Sequence, residues 1–359
     1  MSDESAPILF LLGATYYTAP IDLREKLSLT GGKFDDLHGV LRSLTGLREF
    51  AVLNTCNRVE IYGVAAVPGA VDQLQTSFCA INQIEPALFA RIRLHLRGHP
   101  TVQHLLEVAA GVDSQMVGET EILGQVKDAY AEAHAHGTTG PVLNRVFQKC
   151  FQAAKYVRTH TAIGEGQISV ASVAVDLAIK IFGDLNPCHV LVLGAGEIGE
   201  KTARAFRSRG SGAMTVASRR LPRAEELAGA FSARAIPFDR VAGSLSGFDV
   251  AVCSTAAPEP VVTRAMAAAA MRRRGSRPLF FIDLAMPRNV APDVADLANV
   301  FLYNLDDLAK IAGENLALRQ AEINRARALL AAKAAALWQQ VAPRIAVNHD
   351  AEQMPFGSA

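Results

Sequence analysis

In a chain of 359 residues, three stretches combine residue types and spacings that suit chemistry. Leu53-Asn54-Thr55-Cys56-Asn57-Arg58 ends one expected strand and begins the next. A cysteine there, two residues before an arginine, can have its thiolate favoured by the nearby positive charge, and a thiolate is a nucleophile. A free cysteine is also a common small core residue, so Cys56 carries both readings. The second stretch runs from Gly111-Val112-Asp113-Ser114 to Gly118-Glu119-Thr120-Glu121-Ile122-Leu123-Gly124-Gln125. Its glycines and polar groups at a helix junction fit backbone packed close to a polar ligand. His104 precedes it on an amphipathic helix, where a satisfied structural histidine is the plainer reading of that residue alone. The third stretch is Gly194-Ala195-Gly196-Glu197-Ile198-Gly199, after an apolar run and opening a helix.

That context gives a GxGxxG its meaning as a dinucleotide fingerprint. Gly194 allows a tight turn, Gly196 lets a pyrophosphate approach the backbone, and Gly199 lets helix and strand pack closely. The helix N-terminus adds free N–H groups and a partial positive charge. A glycine turn that holds no ligand is the competing reading. The next strand ends in Ala217-Ser218-Arg219-Arg220, without the acidic residue that binds a ribose 2′-hydroxyl in an NAD site. A hydroxyl and guanidinium forks suit a 2′-phosphate, so NADPH is the expected cofactor, with Ser218 and Arg219 beside it. Both arginines also read as solvated surface.

These residues need elements to hold them. Residues 8–15, 49–54, 58–64 and 89–95 read as strands, and 33–44 and 69–79 as helices. Strands broken by helices in so short a segment indicate an α+β layer with helices on one face. From Thr101 to about Phe182 the pattern is helical. Beyond Cys188, strands at 189–193, 214–217, 249–253 and 279–283 alternate with helices, the signature of a doubly wound parallel sheet. Leu316, Ile323, Leu330 and Leu337 repeat every seven residues, but Arg319, Ala326 and Lys333 in the companion positions make no coiled-coil seam. One long helix over about 306–341, laid against other elements, is expected instead. The domains then read as a catalytic domain at 1–160, an NADP-binding domain with a lead-in helix at 161–300, a long helix at 301–343, and a disordered tail at 344–359.

Composition limits the alternatives. Lys and Arg total 36 against 35 Asp and Glu, which gives no support to nucleic-acid binding through a general basic field. Residues 1–150 are acidic on balance, with 12 basic and 16 acidic side chains. The five cysteines, Cys56, Cys79, Cys150, Cys188 and Cys253, are widely spaced and never in a CxxC pair. Neither a disulfide framework nor a structural zinc site is expected, and no metal. An acidic N-terminus and the lack of a bilayer-length apolar run point to a cytoplasmic protein without a membrane span.

Together the motifs resemble the glutamyl-tRNA reductase family. The resemblance covers about residues 7–342. Its carriers are Gly13 with Thr18-Ala19-Pro20 and Leu23-Arg24-Glu25, then Thr55-Cys56-Asn57-Arg58-Val59-Glu60-Ile61-Tyr62. They continue through Gly111-Val112-Asp113-Ser114, Gly118-Glu119, Ile122-Leu123-Gly124-Gln125-Val126-Lys127, the glycine fingerprint, Asp283-Leu284-Ala285-Met286-Pro287-Arg288 and Tyr303-Asn304-Leu305-Asp306-Asp307-Leu308. The resemblance implies an α+β catalytic domain, a Rossmann-type NADP-binding domain and a long C-terminal helix. It implies NADPH-dependent reduction of glutamyl-tRNA(Glu) to glutamate 1-semialdehyde, the first step of tetrapyrrole synthesis by this route. Cys56 would form a glutamyl thioester, His104 would assist proton transfer, and Thr55, Arg58, Ser114, Glu119, Glu121 and Gln125 would line the glutamyl pocket. Arg58 would hold the substrate γ-carboxylate bidentately. Gly194, Ala195, Gly196, Glu197, Ile198, Gly199, Ser218 and Arg219 would hold the cofactor. Glutamate-1-semialdehyde aminomutase, which consumes the product, is the implied partner.

The departures are specific. Tyr16-Tyr17 stand before Thr18 where the family usually has Asn-His-Lys, and Glu121 stands where a Gln is common. Ser218-Arg219 replaces the usual Asn-Arg, which keeps the arginine. About 20 residues follow Trp338, so the family's helical dimerisation domain is not expected here, and the family's homodimer is either lost or formed through another surface. A non-catalytic NADP-binding paralogue is one alternative. A dehydrogenase similar to shikimate dehydrogenase is the other, although it has no use for Cys56 and its neighbours.

Overall fold

The computed structural model describes residues 7–115, 117–119, 121–164, 170–313 and 320–347. The chain forms two compact units, one of residues 1–167 with 316–359 and one of residues 168–315.

The first unit begins with β1 (Ile8–Thr15), α1 (Ile21–Leu27), α2 (Lys33–Ser43), β2 (Leu47–Asn54) and β3 (Arg58–Ala65). It continues with α3 (Gly69–Ile81), α4 (Pro86–Ile92), β4 (Leu94–Arg97), α5 (His99–Ala110), α6 (Glu121–Ala135) and α7 (Pro141–His160). The strands form an antiparallel sheet in the order β2-β3-β1-β4. Helices cover both faces of this sheet, not one as the patterning indicated. On one face Phe10, Leu12, Val59 and Ile61 pack with Leu37 and Leu41 of α2 and Leu74 and Phe78 of α3. On the other, Leu9, Leu11, Leu53 and Tyr62 pack with Val102 and Leu105 of α5 and Val146 and Phe147 of α7. Both sides of β1 are therefore buried, which is why it reads as a continuous apolar run. Residues 89–95 are likewise not a single strand. Pro86 occupies the first turn of α4, where a missing N–H is no loss, and Phe89 and Ile92 are buried together at helical spacing.

The second unit contains α8 (Val170–Phe182), β5 (His189–Leu193), α9 (Glu197–Ser208), β6 (Ala213–Ser218), α10 (Leu221–Ala230), β7 (Arg234–Pro237) and α11 (Val241–Ser244). It ends with β8 (Val250–Cys253), α12 (Arg264–Arg274), β9 (Leu279–Asp283), β10 (Val300–Asn304) and α13 (Leu305–Gly313). All its strand pairs are parallel, in the order β10-β9-β8-β5-β6-β7. This is the doubly wound dinucleotide-binding order, with its reversal between β5 and β8. The edge strands β7 and β10 escaped the patterning. β7 is only four residues long and is bounded by Arg234 and Pro237, whereas β10 carries a short apolar run, Val300 to Tyr303, although Phe301 is exposed at the sheet edge.

The last described element, α14 (Gln320–Val347), belongs to the first unit. It buries Ile323, Ala326, Leu330, Ala334, Leu337, Val341 and Ile345 in the core shared by α5 and α7. The spacing of three and four is that of a single helix face. Of the expected helix over 306–341, residues 306–313 lie in α13 and 320–341 in α14, while the join at 314–319, with Leu316 and Arg319, lies outside the described residues. The expected tail is helical at 344–347, and 348–359 also lie outside them. Among the described residues no helix is long and apolar enough to cross a membrane.

Candidate active site

The β2–β3 hairpin presents Cys56. Its three-residue loop is closed by a Thr55 N–H donating to the Arg58 carbonyl at 2.8 Å. The Thr55 hydroxyl in turn accepts from the backbone N–H groups of Asn57 and Arg58, each at 3.2 Å. Arg24 of α1 clamps the loop from outside. Its Nη1 donates to the Cys56 carbonyl at 3.1 Å and to Asn57 Oδ1 at 3.2 Å, while its Nε donates to the Ala19 carbonyl at 3.2 Å. One buried guanidinium thus ties the turn after β1 to the cysteine loop.

Arg58, Glu60 and Tyr62 alternate along β3, so all three face α5. Glu60 is fully buried and serves three partners. Its Oε1 accepts from Arg58 Nη1 at 2.9 Å and pairs with His104 Nε2 at 2.8 Å, and its Oε2 accepts from Tyr62 at 2.6 Å. The other ring nitrogen of His104 lies 3.1 Å from Asp113 Oδ2. Arg58 Nη2 donates to the Asp113 carbonyl, and its Nη1 stands 3.8 Å from Asp113 Oδ2. Burial disfavours charge on His104, yet Glu60 and Asp113 outweigh it and raise the imidazole to about 9. Burial likewise works against the Glu60 carboxylate, but Arg58 and His104 hold it down to about 2. Glu60 and Asp113, one on each ring nitrogen, thus favour the protonated form of His104, in which both nitrogens donate.

The loop after α5 brings the remaining pocket residues. Gly111 ends the helix at φ +76°, and a side chain there would lie 2.7 Å from the Glu119 carbonyl, so the loop can close only over glycine. Gly118 N–H donates back to the Gly111 carbonyl at 2.7 Å, and Arg158 of α7 donates to the Glu119 carbonyl at 2.5 Å. Ser114 is buried, whereas Glu121 and Gln125, on the first turns of α6, are half-buried. Burial pushes the Glu119 carboxyl up, and the neighbouring Glu121 adds to that.

Two expectations change. The Cys56 thiol is not eased into its thiolate by Arg58. Burial pushes it up to about 12, Glu119 and Glu121 add to that, and the cation pulling it back is Arg24. Arg58 is closed inside the buried frame on Glu60 and Asp113, so it would meet a substrate carboxylate only by releasing Asp113. Arg24, Glu60, Asp113 and Arg158 were not singled out as site residues. The signal available for Glu60 was a charge at the centre of an apolar strand, in step with Arg58 and Tyr62.

In the second unit the glycine fingerprint lies at the strand-order reversal. Gly194, at φ +104°, leaves β5, and a side chain there would meet the Ser254 carbonyl at 2.6 Å. A side chain on Gly199 would lie 2.5 Å from the Gly194 carbonyl and 2.7 Å from Ser254 Oγ. Gly196 differs, because a side chain there would point into open space. It precedes α9 as its N-cap, followed by Glu197 and Ile198 in the first turn, with Ala195 between the glycines. β6 runs beside β5 and ends at Ser218, followed by the exposed Arg219. These residues fit a dinucleotide: a cradle tight at its base, open where phosphates approach the helix, and cationic at its edge. Asp283 and Asn289 brace the neighbouring loops. Asp283 Oδ2 accepts from the Val290 N–H at 2.8 Å, and Asn289 Oδ1 accepts from the Thr255 N–H at 2.8 Å.

Comparison with known proteins decides the family. Residues 12–161 match the glutamyl-tRNA(Glu) reductase N-terminal domain, and residues 176–311 match the shikimate/quinate 5-dehydrogenase domain. A glutamyl-tRNA reductase of Akkermansia muciniphila is 41% identical over 320 residues, spanning 89% of this chain and 94% of that one. The chain belongs to the glutamyl-tRNA reductase family. A Syntrophotalea carbinolica member is 40% identical over 325 residues, covering 89% of this chain and 72% of that one. The solved glutamyl-tRNA reductase from Methanopyrus kandleri is 34% identical, with a TM-score of 0.52 over 95% of this chain and 81% of that one. The family explains the architecture, with the reductase-specific unit carrying Cys56 and the dehydrogenase-like unit built for a nicotinamide cofactor.

Proposed function

We propose that this protein reduces glutamyl-tRNA(Glu) to glutamate 1-semialdehyde with NADPH, through a thioester on Cys56, in the cytoplasm. The observation that carries the reading is the placement of Cys56. It sits half-buried on a clamped hairpin loop, beside a charged frame, in a chain of reductase ancestry.

In the first step the Cys56 sulfur bonds to the aminoacyl carbonyl carbon. The bond from that carbon to the terminal ribose oxygen breaks, and the thiol proton leaves with the released tRNA. Sulfur is a strong nucleophile, and covalent capture divides one hard step into two. Bound NADPH supplies a hydride to the thioester carbonyl, and with one proton the products are aldehyde and free thiol. Thr55, Ser114, Glu119, Glu121 and Gln125 surround the glutamyl group. Arg58 and His104 belong to the frame that fixes the hairpin and the loop after α5. His104 bridges Glu60 and Asp113 there, and those carboxylates favour its protonated form. The carboxylates of Glu119 and Glu121 suit the substrate ammonium, the charge that the esterified glutamyl group keeps beside its γ-carboxylate. The product is a reactive aldehyde, so an aminomutase that accepts it directly is the natural partner.

Purified protein mixed with glutamyl-tRNA and NADPH should form aldehyde and consume cofactor in equal amounts. No consumption by a folded wild-type protein would leave the non-catalytic reading. The phosphate approach at Gly196 gives a sharper test. Gly196→Val fits the open space in the free protein and blocks the pyrophosphate. It should abolish reduction while glutamate is still released from glutamyl-tRNA at the wild-type rate. Loss of both activities in a folded variant would show that the glycine does more than admit cofactor. Arg219→Ala should raise KM for NADPH about tenfold or more and leave KM for NADH unchanged, as expected for a charged contact to a 2′-phosphate. An equal change for both cofactors would remove Arg219 from that role.

A further inference from the structure

The turn after β1 carries Tyr16 and Tyr17 at the edge of the cysteine loop. Thr15, the last residue of β1, pairs with Arg58, and Arg24 joins Ala19 and Cys56 through a single guanidinium. The turn is rigid. Thr18 and Ala19 donate their N–H groups to the Thr15 carbonyl at 3.1 and 2.9 Å, and the Thr18 hydroxyl accepts from the Thr15 N–H at 2.9 Å. On it the two rings meet edge to face, with centroids 5.2 Å apart and planes at 87°. Tyr16 is half-buried, whereas Tyr17 is 51% exposed. The edge-to-face contact with Tyr16 fixes the orientation of the Tyr17 ring and leaves part of that ring open to solvent.

We propose that Tyr17, backed by Tyr16, is a stacking platform for the 3′-terminal adenine of the aminoacyl-tRNA substrate. This rests on the proposed function, because it concerns the same substrate at the same site. The attacked carbonyl is esterified to the terminal ribose, so the attached base must come to rest within one nucleoside's length of Cys56 Sγ. The tyrosine turn is held against the cysteine loop, since Thr15 pairs with Arg58 and Arg24 bonds both Ala19 and Cys56. A flat ring serves such a base through its π-face, with no need for a basic surface. This accounts for tRNA recognition by a chain whose N-terminal half is acidic on balance.

The test measures binding of a non-cleavable glutamyl-tRNA, its ester replaced by an amide, to the full chain by fluorescence anisotropy. A second probe is the same molecule lacking only the terminal adenine base. Tyr17→Ala should weaken binding of the intact probe about tenfold or more, while Tyr17→Phe, which keeps the ring, stays near wild type. On the base-less probe all three proteins should bind alike. Equal affinity of Tyr17→Ala and wild type for the intact probe would overturn the platform. So would an equal loss on both probes, which would mean that the substitution acts on the fold. Because the readout is binding, a wild type that bound in this pattern yet formed no aldehyde would contradict the proposed reaction and uphold the platform.

Discussion

Cys56→Ser is expected to lower aldehyde formation by roughly a thousandfold or more, with the fold unchanged. Oxygen for sulfur is a small change in shape at a half-buried loop position. Its chemical effect is large. A serine hydroxyl is a far weaker nucleophile than a thiol unless a base takes its proton, and His104 is engaged between Glu60 and Asp113. An ester formed on serine would also be a poorer hydride acceptor than a thioester. NADPH binding should be unaffected, because the fingerprint glycines lie in the other unit. Steady-state aldehyde formation and cofactor titration together check this. Retained activity with wild-type kcat would place the nucleophile elsewhere.

The second large effect belongs to Glu60. Glu60→Gln keeps the size and removes the charge that holds Arg58 and His104, both buried. Leaving buried cations without their partner should cost about 3–5 kcal/mol of stability. The pH dependence has a defined sign. The Glu60 carboxyl is lowered from 4.5 to about 2, so its stabilisation is present above 4.5 and lost as pH falls towards 2. The His104 imidazole is raised from 6.5 to about 9, so its stabilisation is complete below 6.5 and lost as pH rises through 9. Denaturant midpoints across pH should therefore separate wild type from Glu60→Gln most widely between about 4.5 and 6.5, with the gap narrowing on both sides. A gap that is constant with pH would mean that the carboxylate contributes by packing and not by charge.

Local signals made much of this protein legible. The strands Ile8–Thr15, His189–Leu193 and Leu279–Asp283 stand where their apolar runs place them, and the glycine fingerprint opens α9. Alternation failed where two rules competed. At 89–95 buried apolar residues suggested a strand, but Pro86 starts a helix whose i, i+3 pair, Phe89 and Ile92, is equally apolar. Cys56, Thr55 and the loop after α5 could be marked as candidates from their residue types. Their electrostatics could not. The partners that set them are remote in the chain: His104 lies 44 positions from Glu60, and Arg58 lies 55 from Asp113. A positive neighbour in sequence, Arg58, turned out to be spent on those carboxylates, while the cation acting on Cys56 is Arg24, 32 positions away. Strand parity carried the missed information, since Arg58, Glu60 and Tyr62 share one face of β3.

The thioester is the centre of this reading, and it can be seen directly. Protein mixed with glutamyl-tRNA in the absence of NADPH, then quenched in acid, should gain the mass of one glutamyl residue. Peptide mapping should place the adduct on Cys56, hydroxylamine should remove it, and added NADPH should discharge it as aldehyde. A protein that forms aldehyde from glutamyl-tRNA while the Cys56 thiol stays unmodified, or that forms it equally well as Cys56→Ala, would contradict the mechanism.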